Sequence, residues 1–333
     1  MPRLPQRWPV PARGARADRL MRNLLLAALV FHESITMAQP MNDFSAQLDK
    51  LWNYDKLDES QARFRAELAN YPPDSREALE LQTQIARTQG LARKFADADK
   101  TLDAILPRVE MQTTPVRVKV RYFLERGRTR NSSGERDAAV ALFREALKLS
   151  ERDTLPGADF YRVDALHMLG IAATGDEQLD WNLKALAAAS SSQDERAVRW
   201  APMLHNNIGW TYFERGDPRT ALTHWQKALP LREASGNATA IRIAKWTVAR
   251  GLRATGQVDE AKKMQLALVA ETEAAKAPDG YVYEELAEIA FTQGHNAAAR
   301  TWAGKAHALL KDDPGMEAAR LTRLAALAEG KVP

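Results

Sequence analysis

The sequence predicts an all-α fold, a right-handed solenoid of about seven helical hairpins that ends in a capping helix. Amphipathic helical segments recur in pairs, and a glycine marks the turn within each of the later pairs. No segment alternates apolar and polar residues over the length of a strand. The turn glycines recur at intervals of 44, 41, 41, 40 and 38 residues: Gly90, Gly134, Gly175, Gly216, Gly256 and Gly294. Since a hairpin cannot bury its apolar face alone, we expect one continuous domain over residues 41–330.

The hairpin at residues 204–229 shows the pattern most clearly. Its small residues are predicted to lie where two helices cross closely, and its large residues fill the space beside the crossing. These positions, on both sides of a Gly-Asp turn, are Ile208, Gly209, Tyr212, Gly216, Asp217, Ala221, Trp225 and Ala228.

The other hairpins repeat this pattern with local departures. A partial unit is predicted at residues 44–71, and a second at 79–106 with its turn at 90–94. Further units are predicted at 121–146, around 169–185 with a turn at Gly175-Asp176, at 241–271 and at 281–310. Pro-, Gly- and Ser-rich links separate the units. Residues 316–328 carry apolar side chains on one face and are predicted to cap the end of the stack.

The hairpin at 204–229 resembles a tetratricopeptide (TPR) repeat, although the period near 40 residues exceeds the usual 34 of that repeat. Three stretches also resemble a group of bacterial TPR proteins without an assigned activity. They are A-L-H-M-L-G-I at 165–171, R-W-A-P-M-L-H-N-N-I-G-W at 199–210 and P-D-G-Y-V-Y-E-E-L-A-E at 278–288. The resemblance implies a solenoid of TPR-like hairpins and no particular reaction.

The charge distribution argues against a nucleic-acid partner. The formal net charge is +4, but residues 1–40 hold six arginines against Asp18 and Glu33, so that segment alone carries 6 − 2 = +4. Subtracting this charge from the total leaves 4 − 4 = 0, so residues 41–333 are formally neutral. The composition, 45% apolar and 27% charged, supports a sizeable core, and the absence of cysteine excludes disulfides and thiolate sites.

Residues 1–40 are predicted to be a separate, unstructured leader. Residues 24–31 form an apolar run that follows Arg22 and precedes Thr36-Met37-Ala38, which is the order of parts in a signal peptide. The run is too short to span a bilayer, so no stable membrane insertion is expected. In a second interpretation, Met41 is the true start and the protein is cytoplasmic, which is the location we predict. If residues 21–38 act as a signal peptide instead, the protein is periplasmic or secreted.

No catalytic, cofactor or metal motif is found in the sequence. It contains no G-x-x-x-x-G-K-[ST], no H-E-x-x-H and no G-x-S-x-G. The six histidines lie far apart, although stacked hairpins could bring His167 and His205 together. We therefore predict no enzyme activity, no cofactor and no metal, and we interpret the histidines as packing residues.

The first helices of the hairpins are predicted to line a concave groove. TPR domains that hold a peptide C-terminus use Asn and Lys or Arg on these helices, and Asn207 stands where that family places an asparagine. The neighbouring hairpins offer His167, Ile171, Ile243 and Thr247 instead of the other clamp residues, so a general peptide groove is favoured over that clamp. Its predicted residues are Arg121, Arg128, His167, Asn206, Asn207, Trp210, Trp246 and Arg250.

The sequence therefore favours a scaffold that binds a peptide or helix of a partner protein. In the alternative, these polar residues bond to neighbouring backbone, the tryptophans pack between helices, and the chain is a structural module that forms homo-oligomers through its end faces. A groove lined by polar and aromatic side chains favours peptide binding, and an uncovered apolar end face favours self-assembly.

Overall fold

The computed structural model describes residues 44–154 and 156–331. Every regular element in these residues is a helix, which confirms the predicted all-α fold class. The described chain forms two compact units, of which the N-terminal unit ends at Asn237 and the C-terminal unit begins at Ala238. The predicted leader lies outside the described residues, and the single domain over residues 41–330 stays a prediction.

The described residues up to Asn237 form five hairpins and one short extra helix. The hairpins are α1 with α2, α3 with α4, α5 with α6, α7 with α8, and α10 with α11. The helices are α1 (Phe44–Leu51), α2 (Leu57–Leu68), α3 (Arg76–Leu91), α4 (Phe95–Val109), α5 (Val116–Ser133), α6 (Arg136–Ser150), α7 (Ala158–Ala172), α8 (Gly175–Ser191), α9 (Glu195–Val198), α10 (Ala201–Glu214) and α11 (Pro218–Ser235).

The described part of the C-terminal unit contains two hairpins, α12 with α13 and α14 with α15, followed by one more helix. Its helices are α12 (Ala238–Ala254), α13 (Val258–Ala274), α14 (Gly280–Thr292), α15 (Asn296–Leu310) and α16 (Ala318–Glu329). The last helix packs against α15 and buries Leu324 and Leu327. Of the side chains predicted for its buried face, Leu321, Ala325 and Ala328 are only half-buried, so the buried stripe is narrower than expected.

Each well-formed hairpin depends on a close crossing of its two helices. In α10, a methyl group at Gly209 would overlap the indole of Trp225, which is fully buried on α11. In α5, a methyl group at Gly127 would overlap the ring of Phe143 on α6 in the same way. The glycine allows the helices to approach, and the aromatic ring fills the volume beside them. This confirms the crossing predicted for residues 204–229.

The turn of this hairpin follows directly from the sequence Gly216-Asp217-Pro218. Gly216 has φ 81°, a left-handed conformation that glycine adopts without the steric penalty of a side chain. The Asp217 side chain accepts a hydrogen bond from the Thr220 N–H at 3.0 Å and so caps α11. Pro218 then occupies the first turn of α11, where no backbone donor is needed.

The turns of the second and fourth hairpins differ in detail from the prediction. The turn predicted at residues 90–94 lies within that range, but Gly90 is still in the last turn of α3 and Arg93 takes the left-handed position with φ 59°. Measured from Arg93, the interval to Gly134 is 41 residues, which matches the two intervals that follow. In the fourth hairpin, Gly175 has the left-handed conformation expected of a turn glycine, with φ 62°, and α8 begins at this residue.

The close crossing can be tested with two glycine-to-alanine variants. We expect Gly209→Ala to lower the free energy of unfolding by about 1–3 kcal/mol, because Trp225 must leave its position to admit the methyl group. Gly304→Ala is the matched control, since a Cβ on this α15 residue meets no atom within 4 Å. The control should be neutral or more stable by up to about 1 kcal/mol. Urea unfolding followed by circular dichroism measures both, and equal effects would contradict the crossing.

Candidate functional site

A cleft opens on the N-terminal unit where the first helices of successive hairpins lie side by side. Helix α3 packs against α5, and α5 packs against α7. The cleft has a volume of about 30 Å³. Its lining residues come from α1 and the turn after it, from α3, α5 and α7, and from α9 and the residues that follow: Asp49, Trp52, Tyr54, Gln84, Arg87, Arg121, Leu124, Glu125, Phe160, Tyr161, Asp164, Arg196 and Trp200.

Two long-range contacts bring α1 to this cleft. The Tyr161 hydroxyl donates to Ser45 Oγ at 3.0 Å, across 116 residues of sequence. The Arg196 Nε lies 3.0 Å from Asp49 Oδ2, across 147 residues. Hairpins of a solenoid are expected to contact only their neighbours, and the repeat pattern gives no sign of such contacts. Helix α1 is therefore a wall of the cleft as well as part of the first hairpin.

One side of the cleft is fixed by a fully buried carboxylate. Glu80 on α3 lies 2.7 Å from Arg76 Nε through Oε1 and 3.0 Å from Arg121 Nε through Oε2. The guanidinium of Arg121 also stacks over the ring of Tyr161, 4.8 Å from its centroid. Removal of one partner from such a buried ion pair leaves an uncompensated charge, so these side chains are held firmly in place.

A second buried carboxylate joins three helices. Glu125 Oε1 on α5 accepts hydrogen bonds from Arg87 at 3.2 Å and from Arg128 at 2.7 Å. Arg128 also donates to Asp164 on α7. Arg87 stacks over the indole of Trp52, 5.7 Å from its centroid. Burial opposes the charge of Arg87, but Glu125 outweighs it and raises the arginine's pKa, so the guanidinium stays charged.

Three further titratable side chains at or beside the cleft, Tyr54, Tyr161 and His167, are neutral near pH 7. Burial raises the pKa of Tyr54 to about 12 and also raises that of Tyr161. Burial lowers the pKa of His167 to about 4, and its ring lies 4.9 Å from that of Trp200. None of these three groups changes its charge near neutral pH, so the arrangement favours binding over proton transfer.

The structure brings three of the predicted groove residues to this cleft or beside it. Arg121 lines it, Arg128 pairs with two of its carboxylates, and His167 lies against its Trp200 wall. His167 is only 1% exposed, and neither of its ring nitrogens has a hydrogen-bond partner in the part of the chain that the structure describes, so it packs as an apolar side chain.

Three other predicted residues lie together on α10. Asn206, Asn207 and Trp210 are all half-buried, and the two amide side chains make no hydrogen bond within the described residues. The backbone carbonyl of Asn206 accepts from Trp225 Nε1 at 3.3 Å. Trp210 packs edge-on against the same indole, with ring centroids 5.1 Å apart. The amides therefore remain available for hydrogen bonds, while Trp210 supports the hairpin crossing.

The last two predicted residues, Trp246 and Arg250, belong to the C-terminal unit and have partners there. Trp246 Nε1 donates to the Tyr281 carbonyl at 2.9 Å. Arg250 lies 2.6 Å from Glu285, which is fully buried and also lies 2.7 Å from Arg253. Burial would raise the pKa of Glu285, but Arg253 and Arg250 outweigh it and lower the pKa to about 2. This network ties α12 to α14.

Sequence reasoning missed several lining residues, including Trp52, Arg87, Arg196 and Trp200. Arg196 and Trp200 lie between the two hairpins predicted around 169–185 and at 204–229, and Asp194 caps α9 there by accepting from the Arg196 N–H at 2.9 Å. A serine-rich turn followed by Asp-Glu-Arg is a recognisable helix start, and this signal was available in the sequence. The contributions of Trp52 and Arg87 depend on the placement of α1, for which no sequence signal exists.

The predicted alternative pairing of His167 with His205 is wrong. His205 on α10 lies with its Nδ1 2.9 Å from Nδ1 of His224 on α11, so the pair joins the two helices of one hairpin. Burial lowers the pKa of His205 to about 4 and also lowers that of His224. A neutral pair fits the short distance, because one ring then donates and the other accepts.

Within residues 44–154 and 156–331, no group of three or more His, Asp or Glu side chains is placed to hold a metal ion. No helix in the same residues has the length and apolar character needed to cross a membrane.

Comparison with known proteins agrees with the hairpin fold. Residues 206–235 match the tetratricopeptide repeat family. RapI in its apo form is similar over 91% of this chain and 81% of its own, with 14% identity and a TM-score of 0.67. A STAND signal-transduction ATPase with a tetratricopeptide repeat sensor, from Pyrococcus horikoshii, is similar over 96% of this chain and 51% of its own, with 13% identity and a TM-score of 0.60.

The APC/C hetero-tetramer Cut9–Hcn1 contains a further similar chain. It matches 93% of this chain and 54% of its own, with 16% identity and a TM-score of 0.53. No curated protein sequence matches. At these identities the similarities establish the fold.

The buried network of the C-terminal unit predicts a large effect of one substitution. We expect Glu285→Ala to lower the free energy of unfolding by about 3–5 kcal/mol, because it leaves Arg250 and Arg253 without their shared buried partner. The matched control is Glu177→Ala, which removes a 2.8 Å ion pair to Arg144 in which both side chains are more than half exposed. The control should change stability by no more than about 1 kcal/mol. Similar losses in both variants, measured by urea unfolding, would contradict this account.

Burial of His167 predicts a loss of stability in acid. Its pKa is about 4 when folded and 6.5 when unfolded, so the unfolded chain binds the extra proton first as the pH falls. Neutral His167 contributes its full stabilisation above pH 6.5. Between pH 6.5 and 4 this contribution is lost, and the free energy of unfolding falls by up to about 3 kcal/mol. Asp164 opposes this shift and Arg128 reinforces it.

His167→Leu should flatten the dependence, since it removes the titrating ring and keeps an apolar side chain of similar size. Unfolding free energies measured for both proteins from pH 7 to 4.5 provide the test. Identical pH slopes would show that His167 does not carry the effect.

Proposed function

We infer from the tetratricopeptide-repeat match at residues 206–235 and from the fold shared with RapI that this chain serves as a non-enzymatic scaffold, which binds a peptide or helix of a partner protein. The observation that carries the proposal is the cleft between the first helices of the N-terminal unit, whose walls are charged and aromatic. Such walls suit one polar group of a peptide that lies along these helices, because they combine fixed hydrogen-bond donors with flat apolar surfaces. The formation of the Cut9–Hcn1 hetero-tetramer by a protein of similar fold supports the same class of function.

The amides of Asn206 and Asn207 are proposed to extend this binding surface along α10. They are half-buried and have no side-chain partner within the described residues, so a peptide backbone can pair with them without breaking an existing bond. Trp210 lies beside them and offers apolar contact. Trp246 and Arg250 make internal bonds in the C-terminal unit, so any contribution from them requires their exposed edges.

The proposal includes no nucleic-acid partner and no cofactor. Residues 41–333 carry no formal net charge, whereas nucleic-acid binding depends on an excess of Lys and Arg. Burial raises the pKa of Tyr54 and lowers that of His167, so neither group exchanges a proton near neutral pH, which supports binding without catalysis.

The test is affinity purification of the tagged full chain from its native cells, followed by mass spectrometry. We expect specific partners with the wild type and a several-fold loss of them with the double variant Asn206→Ala, Asn207→Ala. The matched control is Asn70→Ala with Asn296→Ala, two exposed amides at helix ends. An unchanged partner set in the α10 variant would contradict the proposed surface, and the absence of any partner would contradict the scaffold.

Self-assembly is the competing function, and light scattering separates it from the scaffold. A single monomeric mass over a wide concentration range would exclude assembly through the end faces.

A further inference from the structure

Buried hydrogen-bond donors without a partner gather at the cleft of the N-terminal unit. Arg121 is 5% exposed and Trp200 is 7% exposed, and neither Arg121 Nη2 nor Trp200 Nε1 has a hydrogen-bond partner among the described residues. Arg87 Nε, also buried, is a third such donor. All three side chains line the cleft. A buried N–H without an acceptor is costly, and it commonly marks a place where a ligand or water supplies the acceptor.

The carboxylates of the cleft cannot fill this role, because each already has its own arginine. Oε2 of Glu80 and of Glu125 also lack a well-formed hydrogen bond, but each of these carboxylates contacts two arginines. The linked set is Arg76, Arg87, Arg121, Arg128 and Arg196 against Asp49, Glu80, Glu125 and Asp164, so its formal charge is 5 − 4 = +1. Asp194, whose carboxylate caps α9, also acts on Arg196 with its charge, and including it makes the set formally neutral, 5 − 5 = 0. The surplus of buried donors, and not a net charge, therefore calls for an acceptor at the edges of these guanidinium groups.

The size of the cleft decides which acceptor fits. One buried water needs roughly 10–15 Å³ of such volume, so a cleft of about 30 Å³ holds two waters or one carboxylate group. A phosphate group, with four oxygens, exceeds this volume. A carboxylate has two oxygens in a plane, which is the shape that a guanidinium edge binds best.

The aromatic walls hold the donors in position before any ligand arrives. Arg121 stacks over Tyr161 at 4.8 Å, and Arg196 stacks over Phe160 at 4.0 Å. The faces of these guanidinium groups are covered, so only their N–H edges remain for a ligand. Such positioning lowers the entropic cost of binding.

We propose that this cleft is a subsite for one carboxylate group of the bound peptide, formed by Arg121, Trp200 and Arg87. The inference rests on the proposed scaffold function and adds the chemistry of one anchor point. The subsite differs from the asparagine-based clamp considered for α10, because its donors are arginine and tryptophan side chains and one of its walls, the α9 segment, lies outside the hairpins. The carboxylate comes from an Asp or Glu side chain or from the peptide's C-terminus, and these two sources share the same contacts.

The test uses small carboxylates with the full chain, by titration calorimetry at low salt. N-acetylglutamate α-amide presents a side-chain carboxylate, and N-acetylglycylglycine presents a C-terminal one. N-acetylglutamine amide and N-acetylglycylglycine amide are the neutral matches. We expect at least one acid to bind with a dissociation constant of about 1–10 mM and its neutral match not to bind measurably. The acid that binds more tightly identifies the source.

Three variants assign the binding to the cleft. Arg121→Lys keeps the charge beside Glu80 but removes the planar edge, and it should weaken binding about tenfold. Trp200→Phe removes the indole N–H and keeps a smaller aromatic ring in the wall, and it should weaken binding about threefold. It keeps the test decisive if Arg121→Lys fails to fold. The control, Arg63→Lys on the surface of α2, should bind as the wild type does.

Three results would overturn the proposal. The acids and their amides bind alike, or neither acid binds when its concentration is about ten times the expected dissociation constant. The third is that the cleft variants bind as Arg63→Lys does. In each case two waters are the simpler occupants. Failure here with protein partners still retained in the affinity purification removes the subsite and leaves the scaffold. Carboxylate binding without any protein partner removes the scaffold instead.

Discussion

The close approach of two helices within each hairpin is the constraint on which the rest of the structure depends. Where Gly209 meets Trp225 and Gly127 meets Phe143, no side chain larger than hydrogen fits on the first helix. Because the helices approach so closely, one face of each hairpin is left to be buried by the next hairpin. The stacking of first helices, and with it the cleft, follows from this packing.

Stacking alone does not fix how one hairpin is placed against the next, and the buried ion pairs supply that precision. They join residues 35 to 38 positions apart: Arg87 with Glu125, Arg128 with Asp164, Arg117 with Asp153, Arg250 with Glu285 and Arg320 with Glu284. Apolar surfaces tolerate small shifts, whereas a buried charge tolerates only the position that keeps its partner. The two units each contain such pairs, so register is set by charge where the repeat pattern is weakest.

The sequence was sufficient for features that depend on short-range patterns. The hairpin at residues 204–229, its Gly216-Asp217-Pro218 turn and the helix near the C-terminus could all be predicted because their signals lie within a few residues. Arg93 in a left-handed turn could not be predicted, since glycine is the usual signal for that conformation. The cleft was only partly foreseen. Arg121 was placed on the right helix face, but Trp52 and Arg196 come from segments whose position depends on folding of the whole N-terminal unit.

The docking of α1 also has a consequence for how the chain forms during synthesis. Asp49 leaves the ribosome 147 residues before Arg196, and at about 5–20 residues per second this delay is roughly 7 to 30 s. The early hairpins are complete within that interval, but the wall that holds Arg196 and Trp200 does not yet exist. The inner face of the nascent chain is therefore exposed for seconds, and its buried charges acquire their final surroundings only when the fourth hairpin has been made.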